Sequence, residues 1–194
     1  MEIKTINIKS NNPYCVLGVV DNERGREIAA EMREWLVPHY KLIEVWHDGT
    51  LFEQPALRYV QNLCATTKKP CLYIHTKGAF NRPELSAEVR AMWKHEFTAN
   101  RDLYFGLVNR PYGAVACPFT GRDKTTWYNG FVTNAQAMAE IPRLDPHTNR
   151  MTFERIFINQ TPQVFGVVRS DFHREFGRID EKFQSTWALI QRQI

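Results

Sequence analysis

Short apolar runs alternate with amphipathic stretches over the first hundred residues, and that alternation sets the expected architecture. Cys15-Val16-Leu17-Gly18-Val19-Val20 is a β-rich run, and residues 23–36 then carry apolar positions at helical spacing, with Asp21-Asn22 between them as a turn or helix N-cap. Lys41-Leu42-Ile43-Glu44-Val45-Trp46 predicts a second strand, closed by the turn signal His47-Asp48-Gly49-Thr50, and residues 53–66 predict a second helix. Pro70-Cys71-Leu72-Tyr73-Ile74-His75 reads as a third strand, too continuously apolar to have a wet face, the pattern of parallel strands covered on both sides. A third helix follows Pro83, over residues 84–99.

Beyond residue 100 the regularity weakens. Tyr112-Gly113-Ala114-Val115-Ala116-Cys117 predicts a strand, Phe131-Val132 part of another, residues 134–140 a short helix, and Gln163-Val164-Phe165-Gly166-Val167-Val168 a last strand. A polar, aromatic-containing helix is expected from about Asp180. With no linker, repeat or low-complexity stretch, residues 1–194 read as one α/β domain. Three strand-helix units predict right-handed crossovers, a mostly parallel central sheet flanked by helices, and ligands bound at the carboxyl ends of the strands. Those ends carry Asp21, His47-Asp48 and His75-Thr76-Lys77-Gly78.

Composition narrows the class. At 43% hydrophobic and 24% charged, 194 residues suffice for a globular core without a metal or disulfide staple. No window approaches the roughly 20 apolar residues a membrane span needs. The first residues lack the basic start, apolar stretch and cleavage site of a signal peptide, so a cytoplasmic location is expected. Cys15, Cys64, Cys71 and Cys117 show no CxxC spacing and read as buried thiols. A net charge of +4 favours an anionic ligand, such as a sugar nucleotide, a phosphate or an anionic polymer, without announcing a nucleic-acid binder. The absence of P-loop, GxSxG, HExxH and paired-cysteine zinc patterns argues against the common NTPase and hydrolase classes.

Four stretches offer chemistry. At His75-Thr76-Lys77-Gly78, Lys77 can pair with a phosphate and Gly78 lets backbone approach a ligand; the plainer alternative is a strand end with a hydrogen-bonded histidine and a solvated lysine. Arg90 and Trp93, three apart on the third helix, either face a nucleotide or sugar or divide into a surface arginine and a core tryptophan. Trp127-Tyr128-Asn129-Gly130-Phe131 suits stacking on a sugar face while the amide reads hydroxyls, and equally suits an aromatic core strand. Arg150 and Glu154 share a face if their segment is helical, which on spacing alone describes an ordinary surface pair.

Taken in order, Tyr73-Ile74-His75-Thr76-Lys77-Gly78, Trp93, Tyr112-Gly113-Ala114-Val115, Asn129-Gly130-Phe131, a short helix ending at Ile141-Pro142, and Arg150 with Glu154 resemble a group of small bacterial and viral glycosyltransferase-like proteins. The match covers about residues 70–158. The resemblance implies a GT-A-like nucleotide-diphospho-sugar transferase fold and transfer of a sugar from a nucleotide-sugar donor to a glycan or a modified nucleobase. On this reading Glu154, which the resemblance places in the site, is the first choice of base and Asp48, at a strand end, the second; Asp21, His75, Thr76, Lys77, Gly78 and Arg90 are the candidates around the donor, and Trp127, Asn129, Gly130 and Arg150 those around the acceptor. Two departures stand out. Asn129-Gly130 inverts the glycine-asparagine order of the group, and the Asp-x-Asp pair that holds Mn²⁺ or Mg²⁺ on donor phosphates in many GT-A enzymes is absent. Asp21-x-Glu23 and Asp171-x-His173 are the nearest substitutes. No protein-ligated metal is assigned; His75, Lys77 and arginines are the alternative neutralisers of a diphosphate. A non-catalytic sugar- or nucleotide-binding or assembly protein of the same fold is the alternative, and a protein directed at nucleic acid a third. Residues 79–83, 118–126 and 143–149 are the expected acceptor loops.

Overall fold

The computed structural model describes residues 1–6, 11–77, 79, 83–120, 124, 126, 129–141, 156–157 and 162–167. Gly78, Trp127, Arg150, Glu154, the Asp171-x-His173 pair and the helix expected from Asp180 lie outside them. The chain runs β1 (Glu2–Thr5), β2 (Tyr14–Val20), α1 (Glu23–Leu36), β3 (Lys41–His47), α2 (Gln54–Thr67), β4 (Cys71–His75), α3 (Pro83–Ala99), α4 (Arg101–Val108), β5 (Ala114–Cys117), β6 (Phe131–Thr133), α5 (Ala135–Glu140) and β7 (Gln163–Gly166).

The strands form one seven-stranded sheet in the order β1-β3-β2-β4-β6-β5-β7. Period two divides the central strands between two cores. Cys15, Leu17 and Val19 of β2, with Leu72 and Ile74 of β4, pack under α1, α3 and α4. Val16, Cys71 and Tyr73 pack on the other side under α2 and α5. From β2 the chain crosses through α1 to β3 on one side, then through α2 to β4 on the other, so the carboxyl ends of β2, β3 and β4 lie side by side. All four cysteines are buried free thiols.

The expectation of a mostly parallel sheet is corrected. β2–β3, β2–β4 and β5–β7 are parallel, whereas β1–β3, β4–β6 and β5–β6 are antiparallel, so the sheet is mixed. A continuous apolar run reports burial on both faces, and helices provide that burial here whichever way a strand runs. Among the described residues no helix is long and apolar enough to cross a membrane.

Candidate functional site

The start of α2 organises the site. An added Cβ on Gly18 of β2 would lie 3.1 Å from the Cβ of Ala56, so the missing side chain lets this end of α2 sit close to the sheet. Pro55 falls in the first turn, where no intrahelical N–H bond is required of it. The N-cap residue Glu53 makes no side-chain capping bond. Its carboxylate instead meets three other side chains. Nε2 of His75 lies 3.3 Å from Oε1, the Tyr73 hydroxyl donates to Oε2 at 3.3 Å, and Nδ2 of Asn129 donates to the same oxygen.

Strand periodicity and the antiparallel β6 bring these partners together. Tyr73 and His75, two apart on β4, share a face and their rings stack at 6.4 Å between centroids. Because Tyr73 pairs with Phe131 across the antiparallel β4–β6 ladder, the residues preceding β6 lie beside the carboxyl end of β4. Asn129 is fully buried at φ 55°, and its N–H donates to the Thr126 carbonyl at 3.0 Å. Trp93 of α3, also fully buried, presents its ring edgewise to His75 at 5.5 Å.

His47 ends β3 beside this cluster. Its Nδ1 accepts the Gly49 N–H at 3.2 Å, and burial lowers its pKa from 6.5, opposed by the nearby Glu53 and Asp48 charges. The neutral imidazole therefore carries its proton on Nε2. The Tyr73 hydroxyl is held well above its ordinary value by burial and then by the Glu53 charge, so it stays a donor.

The other residues singled out in the sequence fall into distinct roles. Thr76 is buried: its hydroxyl accepts the Val20 N–H at 3.1 Å while its own N–H donates to the Gly18 carbonyl at 2.9 Å, stitching the end of β4 to β2. Arg90 is neither a surface arginine nor aimed at open solvent, being 3% exposed. It forks onto Glu31 through Nε at 3.2 Å and Nη2 at 3.1 Å, and Nη1 donates to the Lys77 carbonyl at 2.7 Å. That contact fixes the peptide carrying Lys77 against α3. Asp21 is exposed and pairs with Arg26 at 2.8 Å. Asp48 is exposed and accepts the Thr50 N–H and hydroxyl, bonds that lower its pKa.

No family model, curated protein or solved structure matches this chain.

Sequence reasoning placed His47 at a ligand-binding strand end but missed Glu53 and the hydroxyl of Tyr73 as members of the cluster. Glu53 reads as the first residue of a helix, and only its place in the loop after β3, next to a proline-containing first turn, marked it out. Among the described residues no group of three or more His, Cys, Asp or Glu side chains is placed to hold a metal ion. Asp21, of the acid pair nearest the first strand end, is engaged by Arg26.

Proposed function

We propose that this chain is a glycosyltransferase of GT-A-like fold that moves a sugar from a nucleotide-sugar donor to an acceptor hydroxyl on a glycan or a modified nucleobase. The observation that carries the reading is the polar constellation at the carboxyl ends of β3 and β4, where Glu53 at the start of α2 meets His75 of β4 and Asn129 before β6, with His47 ending β3 and Lys77 following β4. Open α/β sheets bind ligands outside these strand ends, and a diphosphate leaving group needs cationic stabilisation as it departs. Lys77 is the cation for that role, on a peptide held by Arg90. Asn129 and Gly130 are held beside Glu53 and Trp93, and the composition of their stretch suits a sugar face.

The test is a thermal-shift screen of the purified chain against nucleoside diphosphates and sugar nucleotides, with and without Mn²⁺ or Mg²⁺. A sugar-nucleotide-specific shift that disappears in Lys77→Ala supports the reading and names the donor. No shift with any nucleotide overturns it in favour of a binding or assembly role on the same fold.

A further inference from the structure

Two hydrogen-bond donors and Nε2 of His75, 3.3 Å away, converge on one carboxylate that is 13% exposed at the rim of a sheet, which surface ion pairing does not explain. The local backbone is strained as well. Phe52, at φ 49°, immediately precedes Glu53, and Asn129, at φ 55°, bonds to it. A bulky residue such as Phe52 held in this region is strained and persists where its surroundings over-determine it, as at functional sites.

We propose that His75 and Glu53 form the proton-transfer pair of this site: His75 takes the proton of the acceptor hydroxyl, and Glu53 is the positioning residue that orients the imidazole and faces the charge it gains. The identity of the hydroxyl rests on the glycosyl-transfer reading; the pairing does not. A carboxylate only accepts, so Nε2, at 3.3 Å, carries the proton and the lone pair of the neutral ring is on Nδ1. The acceptor O–H bond breaks toward Nδ1 while the oxygen electron pair forms the bond to the anomeric carbon. The bond from that carbon to the donor diphosphate breaks with its electron pair on the leaving group, and the imidazolium returns its proton to water. Glu53 is the orienting member of the two, because its oxygens already accept from Tyr73 and Asn129 and face Nε2 of His75. The groups placed against the imidazole are Glu53 from the start of α2, Tyr73 of β4 and Trp93 of α3; Asn129 before β6 shares the Glu53 carboxylate, and the Glu53 charge also acts on His47 at the end of β3.

Long-range ¹H–¹⁵N spectra of the histidine-labelled full chain test the pair. In the wild type, the neutral His75 ring is expected to carry its proton on Nε2, a measurement that needs no variant; a proton on Nδ1 overturns the pair. Glu53→Gln is expected to move the His75 titration down by about one pH unit, and an unmoved titration overturns the pair. With the donor named by the thermal-shift screen and water as acceptor, Glu53→Gln is expected to lower kcat about 100-fold with KM little changed, and to shift the acid limb of the pH profile to lower pH. An unchanged kcat overturns the catalytic role. A donor shift with an unresponsive His75 overturns the pair and leaves sugar transfer standing. Coupled titration with no nucleotide shift supports the pair and overturns sugar transfer.

Discussion

Gly130 lacks a side chain because Trp93 occupies the space. A Cβ built there would lie 2.4 Å from Nε1 and 2.6 Å from Cε2 of an indole that is fully buried and edge-on to His75. Neither a rotamer change nor a small shift of so large a buried ring relieves that overlap. Gly130→Ala is therefore expected to destabilise the fold by about 2 kcal/mol, read from the urea midpoint. Removing the indole nitrogen edge should relieve the clash, so in a Trp93→Phe background the added cost of Gly130→Ala should fall below about 1 kcal/mol; equal costs in both backgrounds would refute this contact as the cause. The neighbouring Asn129 shows where sequence reading stops at this scale. The Asn129-Gly130 segment was legible as a site candidate, but its partner carboxylate lies 76 residues away in the chain, and no local spacing carries that information.

Two asparagine caps show how differently one residue type serves two elements. Asn22 caps α1 in the ordinary way, accepting the Gly25 N–H at 2.6 Å from a half-exposed turn. Asn134 caps α5 through the Ala137 N–H at 2.9 Å, and its side chain also accepts the Ala114 N–H at 3.2 Å and donates to the carbonyls of Val108 at 3.0 Å and Tyr112 at 2.8 Å. One buried amide thus joins the end of α4, the approach to β5 and the start of α5. Asn22→Ala should cost about 1 kcal/mol, whereas Asn134→Ala, which strands several buried backbone groups, should cost about 3 kcal/mol or more; urea unfolding of the two variants side by side checks the order. The elements legible in the sequence were those with a long periodic signal: α1 spans Glu23–Leu36 as expected, and β3, α2 and β4 fall within a residue of their expected limits. β1 escaped because four residues, with Ile3 43% exposed, carry no buried face to read. α4 escaped because only Asn100 separates it from α3 and its eight residues include Gly106. Strand direction escaped because β5 and β6 are buried throughout, and burial says nothing of which neighbour a strand pairs with.

Across the whole molecule, the two-sided cover that keeps β2, β3 and β4 dry also sets a pH dependence. His47 sits at the edge of the core under α2, 7% exposed, and burial lowers its pKa below the unfolded value of 6.5. At neutral pH both folded and unfolded chains hold this imidazole neutral, and the group contributes its full share to the fold. Below 6.5 the unfolded chain takes up the proton first, since the folded site resists the charge, so the unfolded state binds more protons and stability falls with pH. The loss grows until the folded pKa is passed and then levels off. His47→Asn removes the titration while its Oδ1 replaces Nδ1 as acceptor for the Gly49 N–H. The difference in urea midpoint between wild type and His47→Asn, followed as pH is lowered, isolates this one group from the carboxylates that unfold proteins in acid. The wild type is expected to lose stability relative to the variant as pH falls below 6.5. A constant difference would mean that the fold tolerates the charge on His47, and that Glu53 and Asp48, whose charges favour the protonated ring, fully offset burial at this strand end.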